Sequence, residues 1–442
     1  MPRRSLDSRI ALPGEGGGEL LERFRASLDP EWIDEALKAT GTATIRRRRL
    51  PAEQVIWLVL GMGIYRNKPI TEIVAELGLA LPGSRGPRTA SSSVTQARER
   101  LGDEPIRWLF EHCAEVWAHT SARRHCWRGL AVYGVDGTTL RLPDSDANRE
   151  HFGYCTGSRG EGAYPTARLV TLMALRSHLL AAARFGPQSG GELSYAKEIW
   201  PLIPDESVAI VDRNFLSASV LIPIAAHGHS RHWLIRAKKD TTWNVLRSLG
   251  RGDCLVEKQV SSEARKIDPT LPQRWEMRAI RFQRKGFRPQ TLLTSMVDPV
   301  AYPTSEIVAL YHERWEIELG YGEVKTVMLA REETTRSRTP RGISQELWGL
   351  ALAYNLVRLE MERIAAEAGV TPDRISFKGA LMCIEHALLT LSLESAGRIP
   401  EHLRRLREDV AHFVLPKRRH RSYPRAVKIK MSNYPRKRRG LK

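Results

Sequence analysis

At 442 residues the chain is long enough to bury a sizeable core and to form several domains, which excludes small disulfide- or metal-stapled scaffolds. Its 69 Lys and Arg against 50 Asp and Glu leave a formal charge of +19, which points to a polyanionic partner, nucleic acid ahead of an anionic membrane, rather than to a neutral metabolite. A hydrophobic content of 42% with 27% charged residues is that of a globular protein, so the basicity belongs to a folded molecule and not to a disordered polycation.

The first residues carry Arg3 and Arg4 and continue into the polar, Gly-rich stretch 13–18, without the apolar region of a secretory signal. Cys113, Cys126, Cys155, Cys254 and Cys383 are odd in number, widely spread and without a Cys-x-x-Cys pair. That pattern argues against a disulfide framework or a zinc knuckle, and a reducing, cytoplasmic compartment is expected. Asp29 before Pro30 marks a helix start, with an amphipathic helix predicted to Ala39. The basic block 46–49 precedes a second helix from Pro51, whose apolar run 55–64 is far shorter than the ~20 residues needed to span a membrane and reads as a core helix. A Pro/Gly/Ser-rich connection, 81–93, ends before a helical stretch at 94–101. Helices joined by basic turns suit a DNA-binding module, and equally a helical scaffold with surface arginines.

From Arg128 the texture changes to strands, predicted at 130–135, 138–142, 167–175 and 179–185. A helix at 192–203, a buried strand at 208–211, a helix at 216–226 and a strand at 232–237 come next. This order describes a mixed sheet with helices on its faces. Between residues 241 and 300 short strands return at 254–260, 275–284 and 290–296, as an inserted β-rich piece. A helix runs from Ser305 past Lys325, and a second, at 343–368, is apolar nearly all round and must be buried. Residues 416–442 hold twelve basic residues and no acid, either as a solvated terminus or, with Tyr423 and Tyr434 interleaved, as a phosphate-contacting tail.

Three acids stand out by position. Asp136 follows the strand 130–135 and precedes Gly137, a pair that also suits an ordinary hairpin turn. Asp212 ends a run apolar at both parities, 208–211, and so sits at the mouth of a strand buried on both faces; it can equally cap the helix that Arg213, Asn214 and Phe215 lead into. The third lies in the segment 311–325. On a helix of about 100° per residue, Arg314, Glu318 and Lys325 fall at about −60°, −20° and −40° from Tyr311, one narrow stripe, while Glu316 and Glu323 point roughly the opposite way. Leu310, Ile317, Tyr321, Val324 and Met328 form the adjoining, packing side. Such a stripe also arises from surface ion pairs, but Gly320 and Gly322 inside it make sense mainly where something approaches the backbone closely. Asp136, Asp212 and Glu318 together would supply the three carboxylates expected for two divalent cations that also take phosphate oxygens as ligands.

The spacing Tyr311-(2)-Arg314-(3)-Glu318-(6)-Lys325 resembles the signature of the insertion element 4 family of bacterial DDE transposases. Val135-Asp136-Gly137-Thr138 and Val211-Asp212-Arg213-Asn214-Phe215 resemble the family's two aspartate regions, in the same order, and the region 24–79 is similar to its separate amino-terminal domain. The resemblance implies an RNase H-like α/β fold: a mixed five-stranded sheet with flanking helices, a β-rich insertion and a helical N-terminal domain. Its implied division is a helical DNA-binding domain at 1–125, a catalytic domain at 126–240 and 303–370 split by the insertion 241–302, and helices with a basic tail at 371–442. It also implies Mg²⁺-dependent cut-and-paste transposition through a DNA hairpin, with two ions (Mn²⁺ substituting) held by Asp136, Asp212 and Glu318, and DNA contacts from Tyr311, Arg314 and Lys325. The partners implied are terminal inverted repeats and target DNA, bound by a homodimer at the bacterial nucleoid. Trp243 and Trp275 are candidates to seat a flipped base, or core tryptophans. Rival readings are an RNase H-fold nuclease and a domesticated DNA-binding protein that has lost its chemistry.

Overall fold

The structure is a computed structural model that describes residues 28–43, 50–79, 90–157, 160–226, 228–284, 288–330, 334–391, 408–410 and 412–416. The basic block 46–49, most of the 81–93 connection and the tail from 417 onward lie outside these residues.

The amino-terminal region is helical: α1 (Pro30–Ala39), α2 (Ala52–Ile64), α3 (Ile70–Glu76), α4 (Ser91–Leu101) and α5 (Glu104–Cys113), which continues through a π-helical turn into α6 (His119–Arg124). Asp29 caps α1 as expected, its carboxylate accepting from the Glu31 amide, with Pro30 in the first turn. Helix α2 is buried on nearly every side, as an apolar stretch of its length requires. The element that buries it is a long helix far along the chain, Pro340–Glu367.

Strand β1 (Ala131–Arg141) runs straight through Asp136 and Gly137, so these two residues form no hairpin turn. After α7 (Asp146–Phe152) come β2 (Tyr154–Gly157), β3 (Gly160–Ala174), β4 (Leu180–Pro187), α8 (Glu192–Ile199), β5 (Ser207–Val211), α9 (Ala218–Ala226) and β6 (Arg231–Arg236). β3 is antiparallel to β1 and to β4, whereas β1, β5 and β6 are parallel neighbours. The sheet is larger than the five strands that the resemblance implies. β7 (Asn244–Gly250), β8 (Asp253–Gln259), β9 (Arg274–Phe282) and β10 (Gln290–Thr294), with α10 (Ser262–Ile267) among them, continue the same sheet. The order is β2-β3-β1-β5-β6-β10-β9-β8-β7, with β4 on β3, ten strands among the described residues. Residues 244–294 are rich in strands and join the main sheet, where β10 pairs antiparallel with β6 and covers an edge that would otherwise present unpaired amides and carbonyls. Strand β7 escapes sequence analysis because it is exposed almost throughout and has no apolar alternation to detect.

The closing part of the chain holds α11 (Thr304–Tyr311), a 3-10 turn (His312–Arg314), α12 (Trp315–Gly322), a π-helical turn (Glu323–Met328), α13 (Pro340–Glu367) and α14 (Phe377–Leu391). The uninterrupted helix predicted past Lys325 is therefore a chain of short helical pieces. Helix α13 is buried along its length and packs against both α2 and α5, so the amino-terminal helices share one continuous core with the sheet. Gly349 permits this approach, since a Cβ there would come within 2.4 Å of Val59 Cγ1.

Two buried ionic clusters tie these layers together. Arg278 on β9 is fully buried; its guanidinium donates to both carboxylate oxygens of Asp253 on β8, to Thr304 Oγ1 at 3.0 Å and to the Tyr302 carbonyl at 2.7 Å. The insertion is thereby fastened to the start of α11. In the second cluster Arg358 on α13 meets Glu323 and the buried His178, which sits in the turn between β3 and β4 at φ 63°. Since an arginine N–H donates to Nδ1 of His178, that nitrogen accepts, and Nε2 donates to Glu316 Oε2 at 3.0 Å. Tyr354 completes the group with a 2.8 Å bond to Glu323. Burial alone would push the Glu323 carboxyl up, but the Arg358 guanidinium overrides it and holds it down at about 2.

Removing one partner of a buried ion pair leaves the other charge uncompensated, so Arg278→Met is expected to destabilise the protein by about 3–5 kcal/mol in chemical denaturation. Glu323→Gln is expected to cost a similar amount, about 3–5 kcal/mol, at neutral pH. Because the folded carboxyl is depressed from its ordinary 4.5 to about 2, the wild-type advantage is fully present above 4.5 and is lost as pH falls toward 2. Denaturation curves of the two proteins should converge over that window.

Candidate active site

Strand register brings the two aspartates together. β1 and β5 are parallel, with Val135 opposite Val211, so Asp136, within β1, lies beside Asp212, which directly follows the carboxyl end of β5. In open α/β sheets this is where ligands bind. Asp136 Oδ1 accepts from its neighbour's amide, Gly137 N–H, at 2.8 Å. Asp212 also caps the 3-10 turn Arg213–Phe215 by accepting from Asn214 N–H at 3.0 Å. The capping reading and the strand-end reading of Asp212 thus describe one side chain.

The third acid arrives from across the sheet. Tyr321 is buried on the face of α12 that packs, and its hydroxyl donates to the Asp136 carbonyl at 2.5 Å and lies 2.9 Å from Thr171 Oγ1 on β3. Gly320 lets the helix come this close, since a Cβ there would sit 2.4 Å from Met173 Cε. Gly322 meets nothing within 4 Å, so the close-approach argument holds for one glycine of the two. With α12 seated on β1, Arg314 Nη2 donates to Glu318 Oε1 at 2.7 Å, while Nη1 lies 3.9 Å from Asp136 Oδ2 and 3.8 Å from Asp212 Oδ2. One guanidinium therefore stands among all three carboxylates. As they stand around it, no three His, Cys, Asp or Glu side chains among the described residues close on a single ion.

The electrostatics match this crowding. Burial pushes the Asp136 carboxyl up to about 7, reinforced by Glu192 and Asp212 and opposed by the Gly137 amide and the Arg314 guanidinium. Tyr311 is buried, and its phenol is pushed up by that burial while Arg314 beside it acts the other way. Lys325 is half-buried in the π-helical turn, beyond the straight-helix arithmetic that places it on one stripe with Arg314 and Glu318. Glu316 and Glu323 turn away from the site to His178 and Arg358, as the spacing predicts. Of the two tryptophans considered for a flipped base, Trp275 is buried against Trp233 at 5.2 Å between centroids, and Trp243 packs partly buried on the core.

One acid at this site went unnoticed in the sequence. Glu192, the first residue of α8, leans on Gly137, where a Cβ would come within 2.4 Å of its Oε1. Burial pushes its carboxyl up, and Asp212 adds to the rise. An acid in the first turn of a helix is ordinary, so nothing in the local sequence distinguishes it.

The donor set is one of hard carboxylate oxygens at a strand end, with a cationic group held among them, and it fits divalent cations of the Mg²⁺ type.

Residues 19–111 match the family described as insertion element 4 transposase N-terminal, and residues 127–356 the family described as transposase DDE domain. The chain is 39% identical over 409 residues, 92% of each chain, to the transposase InsG for insertion sequence element IS4 of Escherichia coli (strain K12). It is 38% identical over 225 residues, 50% of this chain and 74% of the relative, to the putative transposase InsZ of the same organism. Among solved structures it is similar to a piggyBac transposase in a synaptic complex with hairpin DNA, at 12% identity and a TM-score of 0.40, covering 94% of this chain and 88% of the other. Matched along most of its length by both family descriptions and by a relative of nearly the same extent, the chain belongs to the insertion element 4 family of DDE transposases, enzymes that cut DNA and transfer its strands.

Proposed function

We propose that this transposase binds the terminal inverted repeats of its element as a homodimer and moves the element by a cut-and-paste route through a DNA hairpin. The observation that carries the reading is the convergence of Asp136, Asp212 and Glu318 on one guanidinium at the carboxyl end of β5, beside the middle of β1. The order β4-β3-β1-β5-β6, with only β3 reversed, supports an RNase H-like core, extended by the insertion at 241–302 and preceded by a DNA-binding helical region at 1–125. The remaining divisions are a catalytic domain at 126–240 and 303–370, and carboxyl-terminal helices with a basic tail at 371–442. The site of action is the bacterial cytoplasm, at the nucleoid; among the described residues no helix is long and apolar enough to cross a membrane.

Asp136, Asp212 and Glu318 would hold the metal. Two Mg²⁺ ions, or Mn²⁺ in their place, would when bound supply Lewis-acid activation of the phosphodiester and of the attacking oxygen. The packing of Tyr321 on β1 keeps the three carboxylates in register. Arg314 and Lys325 bind phosphates flanking the cut, and Tyr311 contacts the same stretch of DNA. For Arg314 this exchanges carboxylate oxygens for phosphate oxygens, which a guanidinium binds in the same forked geometry. Water attacks the phosphodiester at the element's end, the freed 3′-hydroxyl attacks the opposite strand to give the hairpin, a second water reopens the hairpin, and the 3′-hydroxyl released there attacks a target phosphodiester, a 3′-oxygen leaving at each step. Each step is an in-line displacement at phosphorus, so one site serves them all.

Incubation with inverted-repeat ends and Mg²⁺ should yield hairpin products. Asp136→Asn, Asp212→Asn and Glu318→Gln are each expected to lower cleavage by about 10³-fold or more while gel-shift affinity for the ends stays within a few-fold; an equal loss of binding would make these acids structural. The twelve basic residues at 416–442 are expected to contact phosphates, so deleting them should flatten the decline of log affinity with log salt, by about 0.9 for each phosphate no longer neutralised. An unchanged slope in fluorescence anisotropy would remove the tail from the DNA interface.

A further inference from the structure

Glu192 is the acid that the three-carboxylate reading leaves unused. The chain reaches it through the 3-10 turn Gln188–Gly190 and through Gly191 at φ 73°, a left-handed conformation that favours glycine and turns α8 back over β1 at Gly137. There its carboxylate rests on Gly137, whose side-chain-free Cα is what makes room for it. The Gly137 amide that donates to Asp136 Oδ1 acts on Glu192 as well, so both carboxylates flank one N–H, and Asp212 is near enough to act on Glu192 electrostatically. The cation beside it on the far side, Arg168 Nη1, stands 3.9 Å from Oε2, outside hydrogen-bond reach, and Arg168 Nε is buried without a hydrogen-bond partner.

Three carboxylates thus surround the Arg314 guanidinium, and the fourth, Glu192, lies beside Asp136 and Asp212 with Arg168 at 3.9 Å. Such a grouping costs free energy through mutual repulsion in a half-buried setting. A glutamine at position 192 would fill the same space over Gly137 without that repulsion, and Arg168, the one cation paired with Glu192 among the described residues, makes no hydrogen bond to it, which leaves the carboxylate oxygens open to a further cation. The helix start alone offers a weak explanation, because that preference is satisfied by an acid anywhere in the first turn and does not aim the carboxylate at Asp136.

We propose that Glu192 is a fourth metal-binding carboxylate, joining Asp136 on the side of the site away from Glu318. This rests on the reading of Asp136, Asp212 and Glu318 as metal ligands. It makes the site asymmetric: the Asp136 side carries two acids from β1 and α8, and the Glu318 side one acid from α12. A fourth carboxylate would add an oxygen ligand to the set without filling the positions that phosphate and water need.

The test is a titration of the full-length protein with Mn²⁺ alone, without DNA, followed by the electron paramagnetic resonance signal of free Mn²⁺. Wild type is expected to bind two ions; Glu192→Gln should weaken one of them by at least about 10-fold, with an unchanged melting temperature. Wild-type stoichiometry and affinity in Glu192→Gln, with Mn²⁺ binding lost in Asp212→Asn, would overturn the role of Glu192 and leave the three-acid site standing. Wild-type binding in both variants would overturn the metal site and Glu192 together. A second measurement needs no variant: Fe²⁺ with ascorbate cleaves backbone beside the residues that ligate it. Cuts near 192 in addition to those near 136, 212 and 318 are expected in the wild-type chain, and cuts near the latter three without one near 192 would refute the assignment.

Discussion

Three carboxylates cannot share a half-buried pocket without a counter-charge, and in this fold the counter-charge is the Arg314 guanidinium. Its position depends on a break in the helix. The 3-10 turn His312–Arg314 precedes α12, so Arg314 reaches Glu318 one turn further on while its other nitrogen extends to the strand ends. A regular helix would present the arginine along its own surface, where the i, i+4 pair with Glu318 is an ordinary exposed contact of small value. Placed at the mouth of β1 and β5, the same pair closes a site.

That placement rests on the contact between α12 and β1. Tyr321 donates to the carbonyl of Asp136 itself, so the residue that carries one acid is also the anchor for the helix that carries another. Gly320 sets the distance, and the cluster of His178, Glu316, Glu323 and Arg358 holds the far face of the same segment against α13. The segment is gripped from two sides, by neutral hydrogen bonds toward the sheet and by buried ion pairs toward the closing helix. The π-helical turn at Glu323–Met328 lies between those grips, where an irregular turn lets Glu323 reach Arg358 after Tyr321 has reached the sheet.

The sheet extends this logic across the molecule. Because β10 pairs with β6, the insertion prolongs the catalytic sheet, and Arg278 binds it to the start of α11, two turns of helix before Tyr311. At the other side α13 packs on α2 and α5, so the amino-terminal helices belong to the core that supports the site. Whatever surface those helices present is therefore rigidly related to the acids.

Much was legible in the sequence because it depended on short-range pattern. The cap at Asp29, the buried helix at 343–368, the strand ending in Asp212 and the opposed directions of Glu318 and Glu323 follow from local periodicity and side-chain chemistry, which need only a few neighbours to express themselves. The family signature was legible for the same reason, since its four residues lie within 15 positions of one another. What the tertiary structure alone decided were matters of register and pairing between distant segments: that Asp136 sits inside a continuous strand beside Asp212, that the insertion joins the main sheet, that Arg314 stands among the acids, and that Glu192 leans on Gly137. None of these leaves a local trace, because a parallel pairing or a helix start over a glycine is chosen by which packing buries the most apolar surface, a sum over residues hundreds of positions apart.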